Sequence, residues 1–256
     1  MLTQIEHGQA TDKPALLIVH GLYGSARNWG VIAKRLSDER QVIAVDMRNH
    51  GASPWFDTHS YHDMAADLAE VIQAHGKPMD VMGHSMGGKA AMVLALTRPE
   101  LVNRLIIVDI SPVDYGHGEG QLGNIAAMRS VDLNKVERRS DAEEQLARVI
   151  DEKTLISFFT QSLDVKQKKW VLNLDVLERE MPKIVGFPDM QGQFQGDTLF
   201  LSGGDSTYVD RSHRIEIKRL FPNARFASIP GTGHWLHAEK PREFEAATRG
   251  YLDLTD

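Results

Sequence analysis

The stretch Met79–Ala91, MDVMGHSMGGKAA, admits few folds. A short apolar run, Met79–Met82, reads as a buried strand, and Lys89–Thr97, rich in Ala, Met, Val and Leu, reads as a buried helix. Between them lies only Gly83-His84-Ser85-Met86-Gly87 and one more glycine. A chain that passes from strand to helix in so short a space needs a sharp, strained turn, and Ser85 sits on it. Glycine on either side of the serine removes Cβ atoms that would collide there. The pentapeptide fits G-x-S-x-G, a pattern that lifts a serine hydroxyl above the end of a sheet as a nucleophile. Chance could place such a pentapeptide in a chain with 21 glycines. The strand before it and the helix after it argue against chance.

The rest of the first half repeats the same rhythm. Leu2–His7 reads as a short edge strand. Ala15–His20, ALLIVH, is a continuous apolar run of the kind expected for a parallel strand covered on both faces. Asn28–Leu36 has helical spacing, with Trp29, Ile32, Ala33 and Leu36 on one face. Val42–Val45 is the next strand, followed by the turn-rich Asp46–Pro54, and Tyr61–His75 is a second amphipathic helix. Arg104–Asp109 is the strand after the serine-bearing unit. Alternation of this kind predicts an α/β fold with a mostly parallel sheet flanked by helices. It then breaks. The next clear strand is Thr198–Ser202, far beyond the roughly 10–12 residues a crossover requires at minimum. Helical signals fill the gap at Gln121–Met128, Ala142–Ile150, Leu155–Leu163 and Leu172–Met181. We therefore expect a core domain of residues 1–112 and 196–256, with residues 113–195 forming a helical cap over the C-terminal edge of the sheet, where open α/β sheets bind ligands. A helix at Asp210–Leu220, a strand at Arg225–Ile229, a glycine-rich loop and a helix at Arg242–Leu252 complete the chain.

Composition narrows the function. The formal net charge of −6 carries no electrostatic footprint for nucleic acid. Cysteine is absent, which removes disulfide, thiolate-metal and thiol redox chemistry. No apolar run approaches the roughly 18 residues of a membrane span, and Met1–Lys13 is polar with no signal-peptide core. The expectation is a cytoplasmic, monomeric or weakly homo-oligomeric protein that meets a small molecule, with no cofactor or metal and neither nucleic acid nor membrane as partner.

A serine hydroxyl attacks only when a base takes its proton, and histidine, with an unperturbed pKa near 6.5, is suited to that task. Of the 11 histidines, His234 has the best context, on the loop Pro230-Gly231-Thr232-Gly233-His234 between the last strand and the last helix. Its bland reading is a solvated loop residue. His237 lies three residues on, a spacing open to a metal pair, but no third ligand is evident. The imidazole needs a carboxylate to orient it. Asp109 and Asp205 both end or follow strands and both preserve the order Ser, Asp, His; either could instead be simple turn chemistry. Asp175 is a remote third choice. The oxyanion needs preorganised donors. The N–H of Met86, just after the nucleophile, is one, and the N–H of Leu22, in the loop after ALLIVH, is the second, with Tyr23 as a possible addition. Tyr23 and Trp235 are the expected substrate-binding residues. Trp29, Tyr115, Phe158 and Phe159 are further candidates to line an acyl pocket, some of which should prove to be core.

These residues resemble those of the α/β-hydrolase superfamily, over nearly the whole chain: His20-Gly21-Leu22-Tyr23-Gly24, Asp46 to Ser53, Gly83 to Gly88, Asp205 and Gly233-His234. Longer stretches are similar to small esterases of the YbfF type: DMRNHGASP at Asp46–Pro54, GHSMGGKAAM at Gly83–Met92, VDISPVDY at Val108–Tyr115 and GHWLHAEKP at Gly233–Pro241. The resemblance implies a hydrolase of carboxylic esters or acyl thioesters, with the cap inserted between the family's strands six and seven and with Ser85 and His234 catalytic. In that type the acid follows strand six, which here implies Asp109; the superfamily's commoner position, after strand seven, is Asp205. We favour Asp109 and leave Asp205 as the alternative. Other enzymes of the superfamily, such as cofactor-free haloperoxidases, C–C hydrolases and hydroxynitrile lyases, could use the same residues, as could a ligand receptor of the same fold. Lys89 departs from the small residue common at its position. A buried stem with its head in water is the simple reading. Lys166, Lys168 and Lys169 could meet a phosphate-bearing leaving group, or form only a solvated face.

Overall fold

The computed structural model describes residues 1–116 and 118–254. Long apolar runs form its centre. β1 (Thr3–His7), β2 (Leu16–Val19), β3 (Val42–Asp46), β4 (Met79–His84), β5 (Val102–Val108), β8 (Thr198–Gly203) and β9 (Ala224–Ile229) make one seven-stranded sheet in the order β1-β3-β2-β4-β5-β8-β9. Only β1 runs antiparallel, against β3; the other neighbouring pairs are parallel. Side chains alternate between the faces. Leu17 and Val19 of β2 pack with Met64 and Leu68 of α2 (Tyr61–His75) and Met92 of α3 (Met86–Thr97). Leu16 and Ile18 pack with Ile32 and Leu36 of α1 (Gly30–Leu36) and Phe244 of α10 (Pro241–Asp253). Both faces of β2 are thus covered, as its unbroken hydrophobicity requires. At the N-terminal end of β4, fully buried Asp80 is held by Arg40 at 2.9 Å and Arg104 at 2.7 Å. A carboxylate so deep needs such pairing, and this cluster lies at the end of β4 opposite Ser85.

Strand order reverses between β2 and β4, which are neighbours with Val19 opposite Gly83. Ligands bind at such a switch point, beyond the carboxyl ends of the strands. Here the loop after β2 and the turn after β4 leave the sheet side by side. Between β5 and β8 the chain departs from the sheet. It forms α4 (Gly118–Arg129), α5 (Arg139–Leu146), α6 (Lys153–Thr160), a hairpin of β6 (Leu163–Asp164) and β7 (Lys169–Trp170), and α7 (Leu174–Val185). Ile125, Leu146, Phe159 and Leu177 of this insert join the core on the α2–α3 side. After β8 come α8 (Arg214–Leu220), then β9, then α9 (Leu236–Glu239).

Several expected helix boundaries shift: the helix expected over Ala142–Ile150 falls on Arg139–Leu146, and the one over Leu172–Met181 on Leu174–Val185. The helix expected over Leu155–Leu163 ends at Thr160, because Leu163 turns into a hairpin whose two-residue strands are too short to show alternation. The helices expected over Asn28–Leu36 and Asp210–Leu220 each open with a tighter 3₁₀ turn, Ala26–Trp29 and Arg211–His213.

Candidate active site

Ser85 occupies the turn between β4 and α3 with φ 53° and ψ −120°, a backbone region that costs a non-glycine residue on the order of 1–3 kcal/mol. The turn is locked from both sides: Ser85 N–H donates to Val108 O at 3.0 Å, and Lys89 N–H donates to Ser85 O at 3.0 Å. The flanking glycines answer to real crowding. A Cβ at Gly83 would sit within contact distance of the Gly87 carbonyl, and one at Gly87 would meet the carbonyls of His20 and Val19. A Cβ at Gly21, on the loop after β2, would lie 3.2 Å from Ser85 Cβ. That loop therefore passes directly beside the serine. Tyr23 and Asp109 also take positive φ, 64° and 50°.

His234 and Asp109 meet although 125 residues separate them. His234 Nδ1 lies 2.7 Å from Asp109 Oδ2. Asp109 is fully buried. Gly203 N–H donates to its Oδ1 at 3.0 Å, and Ser206 Oγ donates to its Oδ2 at 2.6 Å. A carboxylate ringed by donors presents only acceptors, so Nδ1 of His234 carries the proton and Nε2 is left as the lone-pair nitrogen. Asp205 is exposed, and its backbone N–H donates to Thr232 O at 2.9 Å. The loop Gly203-Gly204-Asp205-Ser206 thus reaches the site, but through Gly203 and Ser206. Asp175 lies elsewhere, in an exposed ion pair with Arg129 at 2.6 Å.

Sequence reasoning missed three residues that fix His234. Tyr208 stacks on its ring with centroids 4.2 Å apart. Ser206 shares the carboxylate oxygen that His234 uses. His84, the residue before the serine, places Nε2 at 2.9 Å from the His234 carbonyl. A carbonyl can only accept, so His84 donates. Burial holds its imidazole well below the usual range, in the neutral form. Only for His84 was there a signal, its place inside the pentapeptide.

The loop after β2 rests on buried, neutral histidines. His20 donates from Nδ1 to Gly21 O at 2.8 Å and accepts Met47 N–H on Nε2 at 2.9 Å. His50 donates from Nδ1 to Arg48 O at 2.9 Å and accepts Tyr23 N–H at 3.2 Å. The Tyr23 amide is therefore engaged and is not a free oxyanion donor. His59 places Nε2 at 3.3 Å from Met86 Sδ. Burial pushes His20 down to about 4 and His50 to about 3. His237, stacked on Trp29 at 4.1 Å, is pushed down by burial to about 3. Because their folded pKa values lie below the unfolded 6.5, the unfolded chain takes up protons first as pH falls. Their neutral burial is fully tolerated above about pH 6.5 and costs stability progressively below it, on the order of 1–2 kcal/mol each by pH 5. Thermal unfolding should show Tm falling steadily from pH 6.5 to 4.5; a flat Tm across that window would contradict these neutral assignments.

Ser85, His234, Leu22, Met86, Tyr23 and Trp235 all line one cavity of about 300 Å³ between the sheet edge and the insert. Trp29, Tyr115, Phe158 and Phe159 line it too, and Trp29 and Phe159 are also core residues. Lys166, Lys168 and Lys169 are exposed and lie away from its walls. Lys89 borders the same cavity but does not snorkel to the surface. It is 1% exposed, and burial pushes its ammonium down to about 7, with Asp114 opposing. No helix among the described residues is long and apolar enough to cross a membrane.

Comparison with known proteins agrees with this architecture. Residues 14–241 match the family model described as alpha/beta hydrolase fold. The sn-1-specific diacylglycerol lipase ABHD11 of Mus musculus is 43% identical over 254 residues, covering 96% of this chain and 82% of its own length. Esterase YbfF of Escherichia coli is 36% identical over 251 residues, covering 98% of this chain and 97% of its own. A solved structure, Marine microorganism esterase, is 37% identical, covers 98% of each chain and superposes with a TM-score of 0.93. With its parallel sheet, its serine on a strained turn and these relatives, the chain belongs to the α/β-hydrolase family and is of the YbfF type.

Proposed function

We propose that the chain is a serine esterase that cleaves carboxylic esters through an acyl-enzyme on Ser85, with acyl thioesters as a second substrate class. The observation that carries this reading is the 2.7 Å pair of His234 and Asp109 at the same cavity as Ser85. In the first step Ser85 Oγ attacks the ester carbonyl while His234 Nε2 takes its proton. The backbone N–H groups of Met86 and Leu22 receive the charge that develops on the carbonyl oxygen. His234 then returns the proton to the leaving alkoxide or thiolate. Water, deprotonated by the same nitrogen, releases the acid and restores the serine. Asp109 keeps the proton on Nδ1 and stabilises the imidazolium formed in each step.

The names of the relatives, esterase and diacylglycerol lipase, support ester cleavage. The walls are mostly aromatic and aliphatic, and a cavity of about 300 Å³ is at the lower end of ligand pockets. Both features favour an uncharged acyl group of short to medium length. A panel of p-nitrophenyl esters from acetyl to palmitoyl, with matched acyl thioesters, tests the reading. We expect kcat/KM to peak at a short or medium acyl chain. No turnover of any ester or thioester would overturn it.

A further inference from the structure

Lys89 sits on the elbow helix α3, one turn after Ser85, and its ammonium donates to three backbone carbonyls. Nζ lies 2.8 Å from Val113 O, 2.9 Å from Val185 O and 2.6 Å from Gly186 O. Val113 follows β5, where the chain enters the insert; Val185 ends α7 and Gly186 caps it, where the chain leaves. A helix leaves its last carbonyls without partners inside the helix, and its C-terminus carries partial negative charge. Lys89 supplies both the missing donors and the matching charge. Tyr61 assists from α2, donating its hydroxyl to Ile184 O at 2.5 Å. Tyr115 N–H also donates to Val185 O, at 3.3 Å. The ammonium lies 4.8 Å from the Tyr115 ring centre and 5.8 Å from that of Tyr61. An ammonium has three hydrogens, and these three carbonyls take all of them. Nothing is left over for a substrate carboxylate or phosphate.

We propose that Lys89 is a positioning residue that clamps both roots of the insert to the helix carrying the nucleophile, and so sets the width of the acyl cavity. Tyr115, Ile184 and Val185, which the clamp holds directly or through its neighbours, are all cavity walls. Lys89 acts on how the acyl group is gripped and not on bond making. The kinetic part of this inference rests on the reading of Ser85 as nucleophile; the structural part does not.

The test is Lys89→Met, which keeps most of the stem and removes the donors. KM for the preferred ester should rise roughly tenfold, the scale of losing charged hydrogen bonds, while kcat falls by less than about threefold. In hydrogen exchange, backbone amides of residues 113–116 and 183–187 should open faster, with β4 and β5 unchanged. If Lys89→Met does not fold, Lys89→Arg carries the same two readouts, because a planar guanidinium cannot set three hydrogens of one nitrogen on three carbonyls. An unchanged KM, a fall in kcat alone, or faster exchange spread evenly over the chain would each overturn the proposal. If the wild-type protein hydrolyses no ester, the nucleophile reading fails, and the exchange result still decides the clamp.

Discussion

Ser85→Ala should abolish ester turnover for practical purposes, with kcat falling on the scale of the roughly 10⁶ measured for loss of a serine protease nucleophile. The reason lies in the chemistry assigned to one oxygen. Without Oγ no acyl-enzyme forms, and the cavity can at best orient water against the carbonyl. Substrate binding should survive, since most of the cavity wall belongs to other residues and alanine keeps the Ser85 Cβ. The substitution should not harm folding. Ser85 holds a positive φ at which alanine fares no worse in kind than serine, and the hydrogen bonds that lock the turn come from its backbone N–H and carbonyl. Steady-state kinetics with a p-nitrophenyl ester, alongside a Tm measurement, checks this. Retention of more than about one per cent of kcat in a folded variant would contradict the assignment.

Asp109→Asn should cost up to about 10⁴ in kcat, the scale of the matching change in a serine protease. The local hydrogen bonds dictate why. Oδ1 must accept from the backbone N–H of Gly203, which cannot be reversed. An asparagine is therefore forced to keep its oxygen there and to turn its amide NH₂ toward His234. Nδ1 must then accept, the proton moves to Nε2, and the nitrogen proposed to take the serine's proton loses its lone pair. Ser206, which donates to the other carboxylate oxygen, can rotate its hydroxyl away and does not rescue the tautomer. Asp205→Asn should change kcat by less than about threefold, because that side chain is exposed. The reverse outcome, with Asp109→Asn active and Asp205→Asn inactive, would show that the acid has been placed on the wrong strand.

How far the sequence reveals this molecule depends on how local each signal is. The parallel strands are legible because burial on both faces demands unbroken apolar runs such as ALLIVH. The serine turn is legible because crowding at Gly83 and Gly87 tolerates no side chain. His234 is legible as a histidine on a glycine-rich loop after the last strand. The choice between Asp109 and Asp205 is not, because both occupy strand ends and only the path of the 202–206 loop determines which carboxylate meets the imidazole. Ser206 and Tyr208 have no marker at all: each gains its place from contacts made across long stretches of chain. Lys89 shows the same limit. A lysine among alanines and methionines suggests a snorkelling stem, but its true partners are carbonyls 24, 96 and 97 residues away. The hairpin of the insert was hidden for a different reason, since two-residue strands carry no period.

The most direct measurement is where an acyl group or its mimic becomes attached. The protein is treated with a fluorophosphonate, or quenched in acid during turnover of a p-nitrophenyl ester, then digested and analysed by mass spectrometry. The mechanism requires one adduct, on the peptide containing Ser85, formed much more slowly in Asp109→Asn and absent from Ser85→Ala. An adduct on another residue, or full ester turnover with Ser85 never modified, would contradict it.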